Sequence, residues 1–365
     1  MNEVRPVRLL LKGLVIFLVI NLAFAALNPP AGTISIYNGL VPGRLRFYLA
    51  SPQTSDVAVG NLDALFYSHV IAGAPKLPGE YRVFLVGDSQ TWGGTVSPAQ
   101  TLAEQLNSLQ LHPCGKNLMF YNLAYPYPSA VKDFLILHRS LRYQPDLVVW
   151  LLAVNSLIPI PNPALNFLDQ DNPQAAAETL QQYHLDKYWG GRASEADFWH
   201  QTIIGQGRYL ASLTWLQLDG LVWAATGSDY QFAAYAPLDV DLPAAQVFYG
   251  FPPPQLPRAS LAFDVLDETH RMLGPLPVLV VNEPIYIAHG KNSNISYNAK
   301  YPRWAYDQYR EFLRAFVAQE GWTYLDLYDL ISSEEFTNSI LHIDSRGEAR
   351  LARSLAPEIQ GLACR

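Results

Sequence analysis

An apolar run, Val83-Phe84-Leu85-Val86, stops abruptly at Gly87-Asp88-Ser89, and this junction constrains the chain more than any other stretch. Consecutive apolar residues bounded by turn formers suit a strand covered on both faces, the kind found in parallel sheets. A parallel strand cannot stand alone, because each return to the sheet needs a crossover, usually helical. In open sheets of this sort reactive groups gather at the carboxyl ends of the strands, where Ser89 stands. Gly93-Gly94 follow, and a helix then carries the chain away.

The alternation continues downstream. Ser97-Pro98-Ala99-Gln100 reads as a helix start, with serine as cap, proline in the first helical position and glutamine placed to reach back. Leu102, Leu106 and Leu109 supply its buried stripe. A second strand is expected over 118–123, followed by the turn Ala124-Tyr125-Pro126-Tyr127-Pro128. Ser129 caps a helix that turns Phe134, Leu137 and Leu141 inward. Residues 146–152, DLVVWLL, form a third strand. The rhythm then pauses over 157–257, read as a helical insertion leaning over the carboxyl edge of the sheet. It resumes with a helix near 258–272, a strand over 278–282, a helix after Pro302 that Gly321 ends, a strand over 323–327 and a last helix from about 345. The expected fold is α/β, a flavodoxin-like doubly wound parallel sheet of five core strands in the order 2-1-3-4-5.

Composition narrows the function. Of 365 residues half are apolar and 16% charged, and the formal net charge of −7 leaves no basic stripe for a nucleic-acid backbone. No metal-spaced His/Cys set, Walker loop or dinucleotide fingerprint occurs, so no metal and no cofactor is expected. Residues 1–27 stand apart: Arg5, Arg8 and Lys12 precede an apolar run broken only by Asn21. Counted from Leu9, with Lys12 snorkelling toward the interface, the segment spans about 19 residues, close to what a bilayer core needs. Two readings stay open, an anchor with the remainder outside the cytoplasm, or a signal peptide cleaved near Ala23-Phe24-Ala25. Residues 28–79, rich in Pro, Gly and Tyr, read as a stalk, and 80–365 as the α/β domain. In the expected sheet order the first and last helices share a face and end at the amino edge. Cys114 and Cys364 follow those helices, so their Cα atoms are expected within disulfide reach.

Each polar candidate falls at the end of a different strand: Ser89, Tyr125–Pro128, Asn155, Glu283 and His342. In the order 2-1-3-4-5 the turns bearing Tyr127 and Asn155 flank Ser89, where oxyanion donors are needed. The fifth strand lies roughly 14 Å from the first, a gap that a loop of about 15 residues can cross to bring His342 to the serine hydroxyl. Histidine can take the proton of a serine at neutral pH, and a backbone amide with an asparagine side chain can hold a tetrahedral intermediate. Glu283 and Trp92 are read as pocket rim. Tyr301, Trp304 and Tyr306 are read as helix–sheet packing, with stacking on a sugar as the alternative. Gly87-Asp88-Ser89-Gln90-Thr91 does not fit the G-x-S-x-G nucleophile elbow.

These blocks resemble those of the SGNH (GDSL-type) hydrolases. Gly87-Asp88-Ser89 matches the first block, Ala153-Val154-Asn155-Ser156 looks like the G-x-N-D block, and His342-Ile343-Asp344-Ser345-Arg346-Gly347 resembles the carboxyl-terminal histidine block. The resemblance covers roughly 80–156 and 275–360. It implies Ser89 as nucleophile, His342 as base, and Ser89, Tyr127 and Asn155 as oxyanion donors. It also implies an esterase or O-acyltransferase acting on acyl esters, among them those of cell-envelope polysaccharide, with an inactive accessory protein as the alternative. The sequence departs from the pattern in three places. Tyr127 stands where the second block ends in glycine, Ala153 and Ser156 flank Asn155, and Ser339 replaces the aspartate three residues before the histidine. Asp326, Asp329 or Asp344, or a backbone carbonyl, is read as orienting His342 instead.

Overall fold

The computed structural model describes residues 5–29, 31, 37–41, 43–47, 61–159, 173–189, 198–226, 235–244 and 247–365. Its strands are β1 (Glu80–Val86), β2 (Asn117–Asn122), β3 (Leu147–Leu152), β4 (Val278–Asn282) and β5 (Thr323–Asp326). They form one parallel sheet in the order β2-β1-β3-β4-β5, the expected topology. Every residue of β3 and β4 is buried, as near-continuous apolar runs require. The edges differ: β2 exposes Asn117 and Met119, and β5 is half-buried throughout.

The longer helices are α1 (Pro6–Leu27), α2 (Leu62–Ser68), α3 (Leu102–Ser108), α4 (Ala130–Ser140), α5 (Pro173–Gln182), α6 (Gly207–Thr226), α7 (Phe263–Leu273), α8 (Arg303–Gln319) and α9 (Ser345–Ala363). α3 packs beside α9, and α4 beside α7. At the amino edge Cys114 and Cys364 are joined by a disulfide, with Cα atoms 5.6 Å apart. Ser97 and Gln100 do pair, at 2.9 Å, but they close only a short turn, and α3 itself begins at Leu102.

The stalk reading needs correction. Leu62, Leu65, Phe66 and Ile71 join the core of the α/β domain, as does Phe47. Asn61 caps α2 by accepting from the Ala64 amide at 3.0 Å. The Pro/Gly/Tyr-rich composition concealed this, because a seven-residue helix offers too little periodicity to register. The insertion also differs from expectation. Its 240–242 segment does reach the carboxyl edge, where Leu242 N bonds Lys291 O at 2.9 Å and Gly290 N bonds Val240 O at 3.0 Å. α6, however, docks on α2: the Tyr209 hydroxyl donates to Asp63 at 2.8 Å, and Asp63 also pairs with Arg139 and Arg142. Arg139 stands in the last turn of α4 and Arg142 in the short turn after it, just before β3 begins, which places this contact toward the amino edge. Tyr301 and Tyr306 are fully buried and stack on each other at 5.2 Å, so they pack the core rather than face a sugar. α1 is long and apolar enough to cross a membrane, with a mean hydropathy of 2.4, and of its residues only Asn21 and Ala25 are buried.

Candidate active site

Ser89 begins a one-turn helix, Ser89–Trp92, immediately after β1 breaks. Asp88 caps that turn by accepting from the Gln90 amide at 2.9 Å. This cap draws the backbone round and leaves the Ser89 amide without a hydrogen bond among the described residues. An unpartnered amide beside a half-buried hydroxyl is what an oxyanion donor requires.

Buried Lys132 ties this turn to its neighbour. Its Nζ donates to Gly87 O at 2.7 Å and to Tyr125 O at 2.5 Å, and it pairs with Asp133 at 2.9 Å. The Asn122 side chain adds two further ties, donating to Thr91 O at 3.0 Å and accepting from the Ala124 amide at 3.2 Å. The turn after β2 then carries Tyr127 at φ +75°, the left-handed region that a β-carbon disfavours. Asn155 follows β3 in a short 3₁₀ turn, Val154–Leu157, and its buried Oδ1 has no hydrogen-bond partner.

His342 arrives on a small hairpin. Phe336 bridges Ile343, Thr337 N bonds His342 O at 3.0 Å, and Asp344 N bonds Glu335 O at 2.8 Å. Thr95 clamps the hairpin to the serine loop by donating to Ile343 O at 3.2 Å. The imidazole Nε2 lies 2.7 Å from Ser89 Oγ. Its Nδ1 lies 2.8 Å from Asn338 Oδ1, which assigns the proton to Nδ1 and leaves Nε2 to accept. Two glycines make room for this arrangement. A β-carbon on Gly94 would stand 3.1 Å from the His342 ring, and one on Gly347 would stand 2.9 Å from Ile343 Cβ. Burial pulls the His342 pKa below its ordinary value; the charge of Asp88 opposes that shift and Lys300 adds to it. The ring is therefore neutral at pH 7 and able to take a proton.

Other expected residues lie elsewhere. Asp326 binds Arg310 at 2.8 Å, Arg314 at 3.1 Å and the Asn282 side chain at 2.8 Å. Asp344 caps α9 through the Arg346 and Gly347 amides, each at 2.9 Å, and Asp329 is an exposed turn residue. None of the three carboxylates orients His342. Asn338, one residue from the position where the family pattern places its aspartate, holds the ring instead. Ser339 accepts from the Leu341 amide at 3.3 Å and so shapes the hairpin.

Trp92 is no rim residue. It is buried, donates to Phe47 O at 2.8 Å and lies 3.8 Å beneath the Arg46 guanidinium. Glu283 is also fully buried, under the serine turn rather than at its mouth. Burial, with Asp88 and Asp133 close by, pushes its carboxyl well above the usual range. Asp88 Oδ2 and both carboxyl oxygens of Glu283 are buried without a hydrogen-bond partner among the described residues. A cavity of about 460 Å³ lined by Tyr81, Lys116, His270 and Trp322 opens at the amino edge, the opposite end of the sheet from Ser89.

No model of a known protein family matches the chain, and no curated protein matches it. Among the solved structures similar to it are two esterases and a lipolytic protein. A carbohydrate acetylesterase from Sinorhizobium meliloti, Est24, is 12% identical, over 77% of this chain and 99% of that one, at a TM-score of 0.36. The M. smegmatis aryl esterase is 13% identical with the same coverage and TM-score. A lipolytic protein of the G-D-S-L family from Veillonella parvula is 10% identical, over 76% and 97% of the two chains, also at 0.36. At that distance any activity has to rest on the side-chain geometry itself.

Proposed function

We propose that this chain is a serine esterase or O-acyltransferase of the SGNH type, anchored by α1 with its α/β domain outside the cytoplasm. One observation carries the reading: a neutral imidazole 2.7 Å from a strand-end serine hydroxyl, held from behind by Asn338. Ser89 Oγ attacks the acyl carbonyl while His342 Nε2 takes its proton. The oxyanion is met by the Ser89 amide, the Asn155 side chain and the Tyr127 amide. His342 then returns the proton to the leaving alcohol, and an acyl group remains on Ser89. Water, or the hydroxyl of a sugar, completes the turnover by the same proton path. Acetyl esters of envelope polysaccharide are the proposed substrates, on the strength of the motif resemblance.

A second reading has its own observation. Asn338 is neutral, so it orients the imidazole without stabilising the imidazolium as a carboxylate would. That favours a polysaccharide-binding protein that kept the fold and lost turnover. Labelling by a fluorophosphonate separates the two. The esterase reading expects covalent labelling that Ser89→Ala abolishes; absence of serine-dependent labelling sinks it.

A further inference from the structure

The insertion exposes apolar surface next to the proposed membrane anchor. Asn21, the polar break in α1, donates to Phe17 O at 2.9 Å and accepts from the Ile204 amide at 3.2 Å. With Ala25 it forms the buried side of an otherwise exposed helix, packed on the turn Phe198–Gln201. Asn21 lies six residues before Leu27, about 9 Å along the axis. The stretch from Leu9 to Leu27, which includes Lys12, is about 28 Å long, close to the thickness of a hydrocarbon core. If the stretch fills that core, Asn21 sits below its outer boundary, and the residues that touch it are drawn down as well.

Those residues suit such a place. Phe198, Trp199 and Ile204 are 52%, 54% and 44% exposed. α6 begins three residues later, at Gly207. Its Tyr209 and Leu213 bury against Ala64 and Tyr67, while Trp215, Leu218 and Val222, spaced three and four apart, remain exposed on one face. From Tyr209 to Thr226 the only charged residue is Asp219. Water is a poor solvent for that stripe, whereas the headgroup boundary takes tryptophan and an apolar helix face readily.

We infer that the Phe198–Gln201 turn, Ile204 and the outward face of α6 form a second membrane contact, resting in the leaflet at the carboxyl end of α1. The inference relies on α1 spanning the bilayer, as proposed above. It fixes how the domain stands: the surface continuous with the anchor is seated in lipid, and the domain does not swing free on a tether.

Tryptophan quenching tests this directly, because α1 contains no tryptophan. The full chain is reconstituted into phosphatidylethanolamine/phosphatidylglycerol vesicles, with and without brominated acyl chains. Bromolipid is expected to quench part of the emission, and Trp199→Phe with Trp215→Phe to remove more than half of that quenched part. Both side chains are exposed, so the variant should fold, which circular dichroism checks. Absence of quenching in a chain that resists alkaline extraction overturns the inference and leaves the anchor standing. Quenching unchanged in the double variant also overturns it, as does a self-associated chain whose contact through these residues replaces quenching. Release of the chain by alkaline carbonate removes the anchor and the inference together.

Discussion

At the scale of single residues, the sequence pointed to the two groups that meet but misplaced the group behind them. Ser89 and His342 were legible because a strand-ending serine and a loop-borne histidine belong to recognisable blocks. Asn338 was not, because the family pattern directs attention three residues before the histidine. The hairpin bond from Thr337 N to His342 O instead turns the residue four before it toward the ring. Restoring charge there has a defined consequence. Asn338→Asp places a carboxylate on Nδ1, stabilises the imidazolium and is expected to raise kcat on the order of tenfold or more. It should also move the acid limb of the pH–rate profile upward, since the carboxylate favours the charged ring. In the parent chain burial lowers the His342 pKa, so activity should persist below about pH 6.5, the ordinary imidazole value, and fade only at more acidic pH. A kcat-versus-pH series on both proteins reads both effects. Glu283 makes a second residue-scale case. Glu283→Gln keeps a neutral polar side chain beside Asp88 and should leave kcat within about threefold. Glu283→Leu sets an apolar side chain beside buried Asp88 and should lower kcat on the order of tenfold with KM little changed. Equal kinetics for the two variants would remove Glu283 from the support of the serine turn.

At the scale of elements, the strands announced themselves and the segment before them did not. β1, β3 and β4 are apolar runs bounded by turn formers, and their order followed from the helices between them. The 44–73 segment lacks such a pattern, yet it supplies Phe47, α2 and His69 to the interior. His69 is wholly buried, accepts from the Ile71 amide at 3.1 Å and has its pKa pushed down to about 3 by burial. The unfolded chain therefore binds a proton here before the folded one does. This stability is complete above about pH 6.5 and is lost as pH falls from there toward 3. Urea midpoints measured between pH 7 and pH 4 should fall more steeply in the parent than in His69→Gln. Parallel curves would mean that His69 does not keep its neutral form in the folded chain.

At the scale of the whole molecule, the parts divide between the two ends of the sheet. The disulfide, and the Asp63 contacts joining α2, α4 and α6, lie toward the amino edge; Ser89, His342 and the proposed oxyanion donors lie at the carboxyl edge. The sequence carried the sheet order because parallel crossovers admit few topologies. It could not carry the seat of the insertion, because that depends on tertiary contacts such as Tyr209 with Asp63. The most direct measurement is to trap the acyl-enzyme. The full chain is mixed with p-nitrophenyl acetate, quenched in acid within the burst and digested for mass spectrometry. An acetyl group on the peptide containing Ser89, absent in Ser89→Ala and much reduced in His342→Ala, is the expected result. Acetyl found only on other residues, or no adduct at all, would contradict the Ser89–His342 mechanism.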